Sequence, residues 1–174
     1  LTPSLASLKM TKANTNLTVI CMVRPRGAGF CYSKSEYRQM LIEAKDLLET
    51  GADGLAFGFL HENHEIDVER TRKMVELCKK YHKTAVFHRA FDCVNDPYKS
   101  IEILIDLGVD RLLTSGLKAK AMDGIELIKE LQAKYGDKIE ILAGSGVNAS
   151  NAKEIVEIAK INQIHSSCKD WRTD

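Results

Sequence analysis

Cysteine is sparse and irregularly spaced in this chain of 174 residues. The five cysteines are Cys21, Cys31, Cys78, Cys93 and Cys168, an odd number in which no two form a CxxC pair. A disulfide framework needs paired cysteines and a zinc finger needs close pairs, so the spacing argues against both. We therefore expect reduced thiols and a cytoplasmic protein, with the nucleus as a further location.

The chain also lacks long apolar runs, a large net charge and a leader-like start. No hydrophobic run approaches ~20 residues, the length at which a helix spans a bilayer. The formal net charge of +1 gives no bulk electrostatic reason to bind nucleic acid or an anionic membrane. No basic-then-apolar leader is visible, so secretion is not indicated. Because the first residue is Leu1 and not Met, we expect the native N-terminus to lie further upstream.

What the chain does contain is a regular alternation of strand-like and helix-like segments. Its 44% hydrophobic and 28% charged residues are typical of one soluble globular domain. Short apolar segments predict six buried strands, at 17–23, 54–60, 84–87, 111–114, 139–143 and 163–165. Apolar periodicity and capping residues predict helices at 4–12, 33–51, 67–82, 97–107, 124–135 and 150–159.

A loop pattern that repeats along the chain indicates the fold class. Gly51-Ala-Asp53 and Gly108-Val-Asp110 each join a helix to the next strand. Short loops of this kind between alternating helices and strands give a parallel sheet with right-handed crossovers. A doubly wound sheet and a TIM (β/α)8-type barrel both fit. The barrel is favoured because polar residues follow nearly every strand: Arg24, His88, Ser115, Ser145 and His165. A full barrel has eight strands and typically ~250 residues, so we expect an incomplete α/β barrel that lacks two strands.

Three polar residues stand together where the third predicted strand gives way to a helix. His88, Arg89 and Asp92 supply a base, a cation and a carboxylate, and they are our catalytic candidates. This edge of a parallel sheet is where α/β proteins bind ligands. With an ordinary pKa near ~6.5, His88 would act as an acid or base; a satisfied half-buried histidine or a soft-metal ligand is the alternative. Asp92 would orient His88 or Arg89, or cap the following turn.

Further residues at the same edge are candidates for binding an anion. Arg24, Arg26 and Arg89 carry guanidinium groups, which recognise carboxylate and phosphate through paired hydrogen bonds. The alternative is a structural ion network with Asp92 and neighbouring acids. The later strand ends add Ser115, Gly116, Gly144, Ser145, Gly146 and His165. Glycines there let backbone N–H groups approach a phosphate, although tight turns need glycine as well.

A set of short motifs, in order along nearly the whole chain, resembles one known family. The motifs are Leu1-Thr-Pro-Ser4, Met22-Val-Arg-Pro-Arg-Gly27, Gly51-Ala-Asp-Gly54 with Gly58, Phe87-His-Arg-Ala-Phe-Asp92, Leu113-Thr-Ser-Gly116, Ala143-Gly-Ser-Gly-Val147 and His165-Ser-Ser167. Together they are similar to the CutC family, which is named for copper homeostasis. The resemblance implies one TIM-barrel domain over 1–174, truncated at both ends, without the family's first two strands and closing helix.

The resemblance also implies copper as a cofactor and a role in copper homeostasis through Cu(I) binding. Thiolates are good Cu(I) ligands, and Cys31, Cys93 and Cys168 lie in predicted loops. The family's copper-associated cysteines, however, belong to the strands that are not present here. The chain departs from the family pattern at Ser145, where a glycine is usual, at Cys93, and in the tail 168–174.

Two functions therefore remain open from sequence. One is a copper homeostasis protein that binds Cu(I). The other is a TIM-barrel enzyme that acts on a small anionic or phosphorylated metabolite. The expected partner is accordingly a small-molecule anion or Cu(I), with neither nucleic acid nor membrane. Unpaired strand edges in an incomplete barrel invite association, so we also expect a homo-oligomer.

Overall fold

The computed structural model describes residues 1–168, which form a single parallel sheet flanked by helices. The strands are β1 Ile20–Met22, β2 Gly54–Phe57, β3 Thr84–Phe87, β4 Arg111–Thr114, β5 Glu140–Gly144 and β6 Gln163–His165. They lie in the order of the chain, and each neighbouring pair is parallel. The sheet curls into a half-barrel, so the expectation of a six-stranded, TIM-barrel-like α/β fold is confirmed.

The helices precede or join the strands, and most begin at a capping residue that the sequence predicts. They are α1 Leu5–Asn14, α2 Lys34–Thr50, α3 Val68–Lys80, α4 Pro97–Leu107, α5 Ile125–Tyr135 and α6 Ala152–Ala159. Ser33 and Glu36 form the expected capping box of α2, and Asp96 caps α4 with proline in its first turn. Gly51 and Gly108 end α2 and α4 in the left-handed conformation, at φ values of 108° and 78°.

The repeated Gly-x-Asp loops also fix where strands begin. The Asp53 carboxylate accepts a hydrogen bond from the Val19 N–H at 2.9 Å, beside β1. The Asp110 carboxylate accepts one from the Ala85 N–H at 2.7 Å, in β3. Each aspartate therefore ties its own loop to the preceding strand of the sheet, which sets the stagger between neighbouring βα units.

The main core lies between the sheet and its helices. Alternate strand residues such as Leu55, Phe57 and Phe87 belong to this core and are fully buried. Ala56, Val86 and Leu113 are also buried but lie outside that cluster, as expected for the inner face of a curled sheet. Packing on both faces of the sheet keeps the carboxyl ends of the strands together at one rim.

The structure differs from the sequence prediction mainly at strand ends. β1 is shorter than 17–23 and β2 stops at Phe57 instead of continuing to residue 60. After β3 a 3-10 helix, Arg89–Cys93, follows, which the sequence did not predict. No helix in the described part of the chain has the length and apolar character to cross a membrane. The departure from the family pattern at 169–174 lies outside the described residues.

Candidate functional site

A cavity of about 650 Å³ lies at the carboxyl ends of the strands. Its wall includes eight of the residues that the sequence singles out: Arg24, His88, Arg89, Asp92, Cys93, Ser145, Gly146 and His165. These residues lie at or just after the carboxyl ends of four different strands, so the curl of the sheet brings them to one place. The cavity is the candidate site.

Arg24 stands on the β1 side of the cavity as a cation without a carboxylate partner among the described residues. Two hydrogen bonds with Thr2 hold the Arg24 backbone. The Thr2 N–H donates to the Arg24 carbonyl at 3.0 Å, and the Arg24 N–H donates to the Thr2 side-chain Oγ1 at 2.9 Å. The guanidinium lies over the Phe30 ring, 4.7 Å from its centroid. The Nε atom is buried and has no hydrogen-bond partner in residues 1–168.

His88 is only 2% exposed, and its two ring nitrogens differ in their partners. Its Nδ1 accepts a hydrogen bond from the Ala90 N–H at 3.1 Å, so the ring proton of the neutral form lies on Nε2. Nε2 is buried and has no partner among the described residues. Burial first, and the positive charge of Arg24 second, lower the pKa of His88 to about 3. The ordinary pKa expected from sequence does not apply, because that expectation assumed a solvated ring.

Gly58 explains how Arg24 and His88 come to face the same space. The sheet register aligns Met22, Ala56 and Val86 on β1, β2 and β3. Two residues beyond these aligned positions lie Arg24, Gly58 and His88. A Cβ at Gly58 would lie 2.5 Å from the His88 ring, so only glycine leaves room for the imidazole between the strands.

Asp92 organises the opposite side of the cavity, where the loops after β3 and β4 meet. Its carboxylate accepts hydrogen bonds from the Thr114 hydroxyl at 2.6 Å, the Ser115 N–H at 2.9 Å and the Leu117 N–H at 3.3 Å. It also forms an ion pair with Arg89, with Nε and Oδ2 2.7 Å apart. The side chain of Asp92 is 6% exposed, so this network is buried.

Arg89, Ser115 and Gly116 are part of the same network. Arg89 Nη2 donates to the Ser115 hydroxyl at 2.9 Å, and that hydroxyl donates in turn to Asp92 at 2.9 Å. A Cβ at Gly116 would lie 2.2 Å from the Gly124 carbonyl, so this glycine permits close backbone packing. The protein itself uses most of the hydrogen-bonding capacity on this side.

The loop after β5 supplies backbone donors. Ser145 and Gly146 have positive φ values of 86° and 68°. The Ser145 hydroxyl donates to the Ala119 carbonyl at 2.7 Å, while the N–H groups of Gly146 and Val147 donate no hydrogen bond within the described residues. Gly144 is buried against Leu113, and the exposed His165 ring rests beside it.

Other predicted residues lie apart from the cavity. Arg26 pairs with Glu36 through Nε and Oε1, 2.5 Å apart, and Cys31 and Cys168 are exposed outside the cavity wall. Cys93 lines the cavity, and burial raises the pKa of its thiol. Among residues 1–168 no three His, Cys, Asp or Glu side chains converge to hold a metal ion. The described residues therefore form no metal site with three or more such ligands.

Phe30 and Lys118 are among the residues of the cavity wall that sequence reasoning missed. Lys118 follows Ser115-Gly116 by two residues, so its place in a strand-end loop was a usable signal. Phe30 lies in a loop between β1 and α2, and only the folded chain brings its ring to 5.2 Å from that of His88.

Comparisons with known proteins agree on the family. Residues 1–170 match the sequence profile of the CutC family. A CutC family protein of Treponema denticola is 46% identical over 165 residues, which are 95% of this chain and 66% of that protein. The copper homeostasis protein cutC homologs of mouse and human are 38% and 37% identical over 171 residues. The chain spans 62% of the length of each of these two mammalian relatives.

Solved structures agree on the fold. A CutC protein from Streptococcus agalactiae superposes with a TM-score of 0.86 at 33% identity, over 94% of this chain and 80% of that one. A deoxyribose phosphate aldolase from Aeropyrum pernix has a TM-score of 0.72 at 18% identity, over 94% of this chain and 69% of its own. At that identity the second likeness shows a common fold alone.

Proposed function

The chain belongs to the CutC family, and from this premise we propose that it binds a small organic anion, carboxylate or phosphate, in the cavity at the strand ends. It is a homologue of proteins named for copper homeostasis in mouse and human. Anion binding would make the cavity the site where the protein meets a small metabolite, as a binding protein or as an enzyme.

One observation carries the proposal: two of the residues that line the cavity each hold a buried N–H donor without an acceptor. They are Arg24 Nε and His88 Nε2, and neither has a partner among the described residues. A buried donor that stays unpaired costs roughly 1–3 kcal/mol, so folded proteins rarely keep two in one place without a use. A ligand whose oxygens reach these donors would satisfy them.

The charges around the cavity support an anion. Arg24, Arg89 and Lys118 line it, and Asp92 is the carboxylate in its wall. Asp92 is already paired with Arg89 and accepts hydrogen bonds from the β4 loop. Arg24 therefore presents a positive charge that no described carboxylate offsets, and a bound anion would offset it.

Calorimetric titration with acetate, a small carboxylate, tests this proposal at the Arg24 side of the cavity. Arg24→Met removes the charge and the buried donor while keeping much of the apolar stem. A charge-assisted hydrogen bond contributes ~1.5–3 kcal/mol, so we expect about ten- to a hundredfold weaker binding. Arg38→Met is the matched control, because Arg38 is exposed on α2, away from the cavity. Equal affinity in both variants and the wild type, or no binding to the wild type, would contradict the proposal.

Cu(I) binding is the second candidate, and one observation favours it: Cys93, His88 and His165 line the same cavity. Because these side chains do not converge as a set, we expect only weak binding through exposed thiols. Competition with a Cu(I) chelator decides this. Replacement of Cys31, Cys93 and Cys168 by serine should abolish the binding, whereas tight stoichiometric binding that survives all three changes would rule the expectation out.

A further inference from the structure

The two ends of the cavity differ in chemistry, and the difference bears on the kind of ligand. We call the part formed by Arg24, His88 and Phe30 the inner end, and the part formed by Lys118, Gly146 and Val147 the outer end. All six residues line the same cavity. A ligand that fills it therefore meets both ends at once.

The inner end suits a single acceptor oxygen attached to carbon. It offers two buried N–H donors, one on a cation and one on a neutral imidazole, beside the Phe30 ring. A phosphate dianion has three terminal oxygens and two negative charges. One guanidinium and one neutral donor cannot compensate for removing that ion from water. A carbonyl oxygen or a monoanionic carboxylate matches the donors in number and in charge.

The outer end suits the phosphate. The Gly146 and Val147 N–H groups make no hydrogen bond among the described residues, and Lys118 is an exposed cation on the neighbouring loop. Because Gly146 and Lys118 are solvent-exposed, a dianion there keeps part of its hydration. Two amides, an ammonium group and water can together meet three phosphate oxygens.

The distance between the ends limits the length of the ligand. His88 follows β3, and Gly146 follows β5, which is two strands away in the sheet. Neighbouring strands lie about 4.8 Å apart, so the ends are separated by roughly 10 Å or less across a curled sheet. Only a short carbon chain fits between a group at the inner end and a phosphate at the outer end.

We propose that the ligand is a short phosphorylated compound with a carbonyl or carboxylate group at its other end. Its phosphate lies at the outer end and its acceptor oxygen lies between Arg24 and His88. This inference rests on the anion site proposed above and adds the orientation of the ligand in the cavity. His88, as a fixed donor, polarises the bound oxygen and does not remove a proton from the ligand.

A series of probes that share one phosphate and one chain length tests the proposal. Calorimetry of the 174-residue chain compares 3-phosphoglycerate, glyceraldehyde 3-phosphate and glycerol 3-phosphate, with inorganic phosphate as the reference. These compounds end in a carboxylate, a carbonyl and an alcohol. We expect the carboxylate or the carbonyl compound to bind about tenfold or more tightly than the other two probes, since the inner end adds hydrogen bonds that include a charged donor. Whichever of the two binds more tightly identifies the acceptor group.

Paired variants separate the two ends. His88→Asn keeps an acceptor for the Ala90 N–H but is too short to replace Nε2, whereas His88→Gln retains a donor near that position. The first should erase the advantage of the carboxylate or carbonyl compound without changing phosphate affinity, and the second should preserve it. Arg24→Lys, which keeps the charge and loses Nε–H, repeats the test if His88→Asn does not fold. Lys118→Gln should weaken all the phosphate compounds alike.

The outcomes distinguish this inference from the function on which it rests. If all four probes bind with equal affinity, the cavity is an anion site without an inner acceptor group, and the inference is wrong. If His88→Asn weakens inorganic phosphate as much as the other probes, the phosphate lies at the inner end and the inference is also wrong. If no probe binds the wild-type chain, the proposed function itself fails.

Discussion

The two sides of the cavity use similar residues in opposite ways. Arg89 lies in an ion pair with Asp92 and donates to Ser115, so the protein itself occupies its Nε and Nη2 atoms. Arg24 has no carboxylate partner among the described residues, and its buried Nε stays unpaired. Each arginine lies two residues after the end of a strand, so its position in the sequence does not distinguish it from the other. The difference comes from distant partners: Asp92 reaches the loop after β4, whereas no acid in residues 1–168 forms an ion pair with Arg24.

The comparison separates structural from ligand-directed polar groups. On the Asp92 side, removal of a group should mainly lower the free energy of unfolding. On the side of Arg24 and His88, it should mainly alter ligand binding and the response to pH. The predictions below test this division, beginning with the largest effect.

Asp92→Ala should be the most destabilising of these changes. It leaves the Ser115 and Leu117 N–H groups and the Thr114 hydroxyl without their acceptor, and Arg89 without its counter-ion. Hydrogen bonds to a charged group contribute ~1.5–3 kcal/mol each and are not additive, so we expect a loss of about 3–5 kcal/mol. Urea unfolding measures it. Asp96→Ala, which removes the N-cap of α4, is the control and should cost about 1 kcal/mol. Equal losses in the two variants would contradict the central role of Asp92.

Lowering the pH should destabilise the protein through His88. Burial and Arg24 lower its pKa from 6.5 to about 3 in the folded chain. Between these values the unfolded state binds a proton that the folded state does not. The contribution of His88 to the free energy of unfolding is therefore fully present above pH 6.5. It falls by ~1.4 kcal/mol for each pH unit below that value. From pH 7 to pH 5 the expected loss is about 2 kcal/mol.

Urea titrations at several pH values check this expectation against His88→Gln, whose side chain does not titrate. In this variant the free energy of unfolding should change less between pH 7 and pH 5. The carboxyl groups of Glu36 and Asp53, whose pKa values are lowered to about 2, stay ionised over this range. The same slope in both proteins would show that His88 titrates normally in the folded state. A saturating anion should also reduce the slope in the wild type, because it favours the protonated imidazole.

The same residues show which features of the fold could be predicted from sequence alone. All six strands and six helices were predicted, because apolar periodicity, capping residues and glycine stops act over a few neighbouring positions. The placement of polar residues at one rim followed from parallel topology. Arg89 is a local partner of Asp92, but the partners on the loop after β4 lie 22 to 25 residues away in the chain, and no local pattern encodes them.

The burial of His88 was likewise not readable from its neighbours in sequence. It depends on Gly58 on the adjacent strand and on the Phe30 ring from a loop. The register between β2 and β3, which aligns Gly58 with His88, is a long-range property that no local sequence pattern encodes. Sequence therefore predicted the residue types at the rim, but not which of them the protein leaves without partners.

Arg89→Ala provides the direct contrast with Arg24→Met in anion binding. Nε and Nη2 of Arg89 are already used, so its remaining contribution to a ligand is mainly charge. With the side chain 39% exposed, we expect a loss of less than about 1 kcal/mol, or roughly fivefold in affinity. Titration with acetate measures both variants. A larger loss for Arg89→Ala than for Arg24→Met would reverse the assignment of the two sides.

Ser145 gives a small expected effect, and its direction is diagnostic. It belongs to the internally bonded side, since its hydroxyl donates to the Ala119 carbonyl and its own carbonyl accepts from the Ala121 N–H. Its φ of 86° lies where a side chain is strained, and the family resemblance predicts glycine at this position. Ser145→Ala loses the hydroxyl and keeps the strain, whereas Ser145→Gly loses the hydroxyl and relieves it. The glycine variant should therefore be more stable than the alanine variant by about 1 kcal/mol, the reverse of the usual order in regular structure. Thermal unfolding of both variants tests this. If alanine is the more stable, the loop does not hold residue 145 in the left-handed conformation, and the Gly146 and Val147 N–H groups at the outer end would need a different arrangement to meet a phosphate.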